Sequence, residues 1–288
     1  MVESELEWTG ERLVTSIFSH GAIDHLHRYA IATELVKDKV VLDIASGEGY
    51  GSHLLSFFSK KVIGVDISSE AISHASIKYR TDNLEFRQGS ADKIPVSENS
   101  IDVVVSFETI EHHDRHEEML SEIKRVLKPN GVLVISSPDK LNYSDVPKYT
   151  NPFHVKELYR NDFMNLMKKF FAYTTFFNQK SVVGSLIIPD LPEFSFSEFA
   201  GNYSEVQSFE GFHEPIYNLC IASDSPTPYF KGSFFKGKNP SEVAGAIARL
   251  QKEVNSLKNE LVLVRRLRLN LVVDFARWIK KLLPLSKK

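Results

Sequence analysis

The stretch VLDIASGEGYG (41–51) decides the fold. The apolar run KVVLDI (39–44) reads as a buried strand. It feeds the glycine-rich turn ASGEGYG (45–51), and a helical pattern follows in HLLSFFS (53–59). Glycines at 47, 49 and 51 let the backbone approach a ligand closely, and the helix that follows opens with free N–H groups. Working outward, KVIGVDI (61–67), LEFRQGS (84–90), IDVVVSF (101–107) and VLVISSP (132–138) read as further strands. Helical patterns alternate with them: Ile23 to Leu35, then SSEAISHASIKYR (68–80) behind a serine cap, then the amphipathic HEEMLSEIKRVL (116–127), stopped by KPNG. A helix over 155–170 and strands over 172–179 and 215–223 complete the pattern. Continuous apolar strands separated by helices predict a seven-stranded, mostly parallel sheet with helices on both faces.

The 288 residues allow one large domain or a domain with an appendage. With 42% hydrophobic and 25% charged residues, the chain is neither collagen-like, nor disordered, nor a disulfide scaffold. The single cysteine, Cys220, excludes an intrachain disulfide and a thiolate zinc site and suits a reducing compartment. Any metal must then be held by Asp, Glu or His. The N-terminal MVESELEWTGERL has no signal-peptide pattern, and no apolar run approaches a membrane span, so a cytoplasmic protein is expected. Net charge is −2, but eight of the 35 basic residues and only one of the 37 acidic residues follow Leu261, leaving −9 before it. An acidic body of this kind opposes nucleic-acid binding.

Acids end or follow three successive strands: Asp43, Asp66, and Asp92 in Ser90-Ala91-Asp92. An acid after the second strand can bond both ribose hydroxyls, and one after the third can accept from an adenine amino group, which together make a nucleoside site at the carboxyl edge of the sheet. The ordered set VLDIASGEGYG, GVDIS, GSADKIP and IDVVVSFETIEHH…EIKRVLKPNGVLVISSP (39–140) resembles the S-adenosylmethionine-dependent methyltransferases of the Rossmann-like class. The form DIASGEG disfavours a nicotinamide dinucleotide. The resemblance implies that Gly47 and Gly49 pass the methionine end, with Asp43 beside them. It implies that Asp66 takes the ribose, that Asp92 takes the adenine, and that Ile67, Ala91 and Phe107 line the cofactor pocket. HLHRY (25–29) recurs in similar enzymes, so Arg28 or Tyr29 is expected to meet the cofactor carboxylate or to lie on a helix surface.

FETIEHH (107–113) is the acceptor signal. Glu108, Glu111 and His112 are spaced i, i+3, i+4, which on a helical turn gives them one face. Two carboxylates and an imidazole suit Mg²⁺ or Mn²⁺, with His154 of NPFHVKEL as a fourth ligand. The set is similar to metal-dependent O-methyltransferases that act on the terminal ribose of small RNAs and on catechols. Alternatively, His112 or His154 acts as general base without a metal. His113 and His116 are expected to face solvent. WTGER…HLHRY…FETIEHH…FHVKEL resembles methyltransferases of polysaccharide and O-antigen assembly, implying O-methylation of a sugar hydroxyl on a surface glycan or its lipid-linked precursor. A quinone- or catechol-type O-methyltransferase and a non-catalytic cofactor-binding scaffold are the alternatives.

Domain boundaries are expected at 1–223 for the methyltransferase domain, with an aromatic insertion over 181–214, at 224–240 for a Pro/Gly/Ser-rich linker, and at 241–288 for a helical extension. Ile247, Leu250, Val254, Leu257, Leu261 and Val264 form an a/d seam, which predicts a coiled coil and a homo-oligomer. Leu267, Leu271, Phe275, Trp278 and Leu282 then run among Arg and Lys, predicting a basic amphipathic helix on the inner membrane face.

Overall fold

In the computed structural model, residues 6, 10, 12–16, 20–182, 184–191, 194–201, 206–227, 230–237, 250–258 and 261 are described. Helix α1 (His20–Thr33) precedes β1 (Val40–Ile44), and α2 (Tyr50–Ser56) leads to β2 (Lys61–Asp66). Then come α3 (Ser69–Lys78), β3 (Leu84–Gln88), β4 (Ile101–Ser106), a 3₁₀ turn over Ile110–His112, α4 (His116–Val126) and β5 (Leu127–Pro138). After α5 (Arg160–Phe170) the chain is β-rich: β6 (Tyr173–Ser181), β7 (Gly184–Pro189), the hairpin β8 (Ser197–Gly201) and β9 (Val206–Glu210), β10 (Tyr217–Ser223) and β11 (Ser233–Lys236).

The sheet has nine strands in the order β11-β7-β6-β10-β5-β4-β1-β2-β3. β1 pairs with β2 and β4 in parallel, and β10 runs antiparallel between β5 and β6. Alternation along the central strands sends side chains to two cores. Leu42, Ile44 and Val104 pack with Phe163 and Met167 of α5, whereas Val41, Val103 and Val105 pack with Tyr29 of α1 and Leu55 of α2. All of these are nearly or fully buried, and each contributes about 1.5–3 kcal/mol by leaving water.

The expected seven strands are all present, and two more extend the sheet. The stretch 181–214 is not one insertion beside the site. Its first part is β7, which pairs with β6, and its later part is the β8–β9 hairpin. The segment expected to be a linker, 224–240, contributes β11, which pairs with β7. The reason is packing: α1 covers that edge, with His27 Nε2 2.9 Å from Ser233 Oγ and its ring 5.9 Å from Phe235. The helix expected from 155 begins only at Arg160, because the backbone N–H groups of Val155 and Lys156 donate to the Glu111 carbonyl instead. His116 does not face solvent. It is buried, with Nε2 2.8 Å from the His113 carbonyl, and His113 is half-buried against Met119 sulfur.

The chain divides into two compact units, Met1–Gly237 and Lys238–Lys288. In the second, residues 250–258 are helical, and the seam positions Leu250, Val254, Leu257 and Leu261 are exposed. The rest of the predicted seam and the basic amphipathic helix lie outside the described residues. No described helix is long and apolar enough to cross a membrane.

Candidate active site

The carboxyl ends of β1 to β5 converge on one edge, where the predicted site residues lie. At the end of β1, Asp43 is buried beneath the glycine loop and accepts from Ser52 Oγ at 2.6 Å and from the Tyr29 phenol at 3.2 and 3.3 Å. Burial pushes its carboxyl up to about 7, against the opposing pull of those two donors. The loop itself needs glycine. Gly49 lies at φ +95°, and a Cβ on Gly51 would sit 1.9 Å from the Tyr29 ring. Ala45 and Glu108, at the ends of β1 and β4, both take left-handed backbone at φ +57° and +49°, a strain of about 1–3 kcal/mol each that functional sites often hold.

Asp66, at the end of β2, accepts from Gly47 N at 2.8 Å and Ser68 N at 2.9 Å, one on each oxygen. Each oxygen retains a second lone pair, enough for two ribose hydroxyls. Ile67 beside it is 73% exposed, an uncovered apolar ledge, and Ala91 is partly buried across from it along the edge. Asp92 is held by Ser90 Oγ at 2.5 Å and by an ion pair with Arg115, and these contacts, with the Ser90 bond foremost, keep its carboxyl below the usual range. Phe107 is buried edge-on to Tyr29, with ring centres 5.1 Å apart.

Arg28 does not lie on a helix surface. It is 1% exposed, with Nη1 3.1 Å from Glu108 Oε1, Nε donating to Gln179 Oε1 at 2.7 Å, and its guanidinium 4.5 Å over the Tyr217 ring. Tyr29 likewise points inward to Asp43. Arg12 also lies beside the glycine loop, with its Cγ 3.6 Å from where a Cβ of Gly47 would be. Sequence reasoning missed it, and it also missed the tie that holds its segment. Glu48 accepts from Thr15 Oγ1 at 2.7 Å, Lys78 Nζ at 2.5 Å and Tyr79 at 2.6 Å. Val14 and Leu6 pack on Ala71 of α3.

The predicted four-ligand set divides in two. Glu108 precedes the 3₁₀ turn with positive φ, so it cannot share a helical face with Glu111 and His112. Its carboxylate goes to Arg28 and to Ser136 Oγ at 2.5 Å. Glu111, His112 and His154 do converge, with one donor atom from each lying within 4.8 Å of the others. Glu111 is 1% exposed. His112 Nδ1 lies 3.0 Å from the Phe153 carbonyl, which can only accept, so Nδ1 carries a proton. His154 Nδ1 meets Glu157 Oε1 at 2.5 Å, and its Nε2 accepts from Asn151 Nδ2 at 3.0 Å. A carbonyl or carboxylate that orients an imidazole through Nδ1 is the usual outer layer around a metal-ligating histidine. Tyr143 stacks on His154 at 5.3 Å. Asn151, Glu157 and Tyr143 had no signal in the sequence beyond their closeness to His154.

A methyltransferase-domain family model matches residues 35–184. The chain belongs to that family. A probable S-adenosylmethionine-dependent methyltransferase of Mycolicibacterium smegmatis is 32% identical over 57% of this chain and 65% of its own length. A second, from Mycobacterium tuberculosis, is 35% identical over 44% of this chain and 46% of its own length. The chain thus spans about half to two-thirds of the curated relatives it matches. Among solved structures, a Thermotoga maritima S-adenosylmethionine-dependent methyltransferase superposes with a TM-score of 0.51 at 19% identity, covering 72% of this chain and 91% of that one. The Rossmann-like class I methyltransferase fold is therefore shown, with S-adenosylmethionine as the cofactor of the family.

Proposed function

We propose that this protein transfers a methyl group from S-adenosylmethionine to an oxygen, the acceptor being a sugar hydroxyl of a bacterial surface polysaccharide or of its lipid-linked precursor. The observation that carries the oxygen chemistry is the convergence of Glu111, His112 and His154 at the sheet edge that bears the cofactor loop. S-adenosylmethionine supplies the methyl group when bound. Gly47 and Gly49 let the backbone pass its methionine end, Arg12 takes its carboxylate, Asp66 takes the ribose hydroxyls, and Asp92 takes the adenine amino group, with Ile67 and Ala91 against the ring. Arg28 and Tyr29 support this edge from beneath rather than touching the cofactor.

On the acceptor side, His112 Nε2 takes the hydroxyl proton, and its ring is fixed for that task by the Phe153 carbonyl. Glu111, His112 and His154 would also hold a divalent cation such as Mg²⁺ or Mn²⁺ once Asn151 releases the Nε2 lone pair of His154. Such an ion lowers the pKa of a coordinated hydroxyl. Glu108 stays with Arg28 in either case. A quinone- or catechol-type acceptor is the second reading, favoured by the Tyr143 ring that stacks on His154 and lies 6.1 Å from Tyr217. In the helical extension, the exposed seam at Leu250, Val254 and Leu257 supports self-association as a homo-oligomer.

The deciding experiment incubates the full-length protein with labelled S-adenosylmethionine and panels of glycans and catechols, with and without EDTA. Label should enter a glycan, and Glu111→Gln should lower turnover at least about a hundredfold with cofactor affinity kept. Full activity in EDTA leaves His112 as a metal-free base. Label in catechols alone overturns the glycan reading.

A further inference from the structure

The segment between β5 and α5 does two jobs at once. Its inner side closes the acceptor site through Tyr143, Asn151 and His154. Its outer side is unusually apolar for a loop. Val146, Val155 and Tyr149 are 66%, 64% and 50% exposed, and Leu141, Phe153 and Tyr159 also face solvent. These side chains belong to an ordered segment and not to a loose tail. Val146 N donates to the Leu141 carbonyl, Tyr149 N to the Ser144 carbonyl, and Val155 N to Glu111, while the Tyr159 hydroxyl donates to Asp145. A folded loop that holds six large apolar side chains in water marks an interaction surface.

The charges say what kind. Lys148 and Lys156 are exposed among these residues, and Lys140 lies 5.0 Å over the Tyr159 ring. Of the acids on the segment, Glu157 is nearly buried against His154 and Ser144, and Asp145 is exposed and accepts from Tyr159, so the exposed charges of 141–159 are two lysines and one aspartate. Aliphatic tips, tyrosines with one polar end and exposed lysines are the composition that binds the headgroup layer of an anionic bilayer.

We propose that the 141–159 segment is a membrane-docking face, which seats the mouth of the acceptor site directly on an anionic lipid surface. The surface is formed by residues of the first unit and does not require methyl transfer. A lipid-linked acceptor would then enter the site from the bilayer without leaving it.

The test exploits Cys220, the sole cysteine, which is fully buried, so that a surface label goes to an introduced cysteine alone. The full-length protein carrying Val146→Cys is labelled with an environment-sensitive dye. It is then mixed with vesicles of equal parts phosphatidylglycerol and phosphatidylcholine. Emission should shift to the blue, and the shift should fade in high salt. The same label at Glu98→Cys, exposed at the opposite edge of the sheet before β4, should not shift. In sedimentation, the double variant Val146→Asp/Val155→Asp should bind these vesicles at least about tenfold less, since both side chains are exposed and their loss leaves the fold intact. No shift at Val146, an equal shift at both sites, or unchanged sedimentation of the double variant would overturn the proposal. A shift that needs only higher protein concentration would overturn it in favour of a second copy of the chain. None of these readouts uses S-adenosylmethionine, so their outcome is independent of the methyl-transfer reading.

Discussion

Along one sheet edge, the acids after β1 to β3 and those after β4 are held in different ways. Asp66 accepts from Gly47 N and Ser68 N, Asp92 from Ser90, and Asp43 from Ser52 and Tyr29. These partners come mostly from the adjoining loops. Glu108 is instead bound to Arg28 and Ser136, and Arg28 reaches Gln179 on β6. Glu111 is positioned by a loop that arrives after β5, through Val155 and Lys156. The hydrogen bonds of Asp43, Asp66 and Asp92 therefore span at most 19 residues of chain, whereas the partners of Glu108 lie 28 and 80 residues away. The same residue type, glutamate, serves a buried ion pair at 108 and the cluster with His112 and His154 at 111.

The sharpest way to break that contrast is Glu108→Ala. It strands the Arg28 charge in the interior and should cost about 3–5 kcal/mol, read as a large fall in the midpoint of denaturant unfolding. Glu111→Gln should leave the midpoint within about 1 kcal/mol. Equal losses for the two would mean that the acceptor half has no division between support and chemistry.

A second effect belongs to Asp43. Its folded-state carboxyl is raised from 3.8 to about 7 by burial, so the native state holds its proton where the unfolded chain has released it. Stability from this group is full below about pH 4 and is lost as pH rises toward 7, a slope worth on the order of a few kcal/mol. Asp43→Asn should flatten that part of the stability–pH curve and exceed the parent in stability at pH 8. An unchanged slope would place the titration elsewhere.

Smaller effects sharpen the cofactor half. Gly51→Ala pushes a methyl into the Tyr29 ring and should cost about 1–3 kcal/mol, measured by thermal unfolding. Asp66→Asn keeps an acceptor for the loop but loses the charge that the proposed function assigns to the ribose. It should weaken S-adenosylmethionine about tenfold in calorimetry, near 1.4 kcal/mol, with little change in melting temperature. If Gly51→Ala left stability intact while Asp66→Asn unfolded the protein, the short-range description of that half would be reversed.

The sequence by itself determined the alternation of strands and helices, the glycine turn and the acids after three strands. Each is a local matter: apolar runs, backbone freedom at glycine, and position at a strand end. The pair His112 and Glu111 was also legible, because both lie in one short motif after β4. What the tertiary structure alone decided was the partner of each charge. The spacing of Glu108 suggested a shared helical face, but its positive φ turns it to Arg28, eighty residues away in the chain. Arg12 lies over Gly47 only because Val14 and Thr15 pin its segment to α3 and the glycine loop. The segment read as a linker gained a strand once α1 covered the sheet edge. Periodicity reports which face of an element is buried. It carries no information about which distant side chain waits there, because that follows from how closed elements pack.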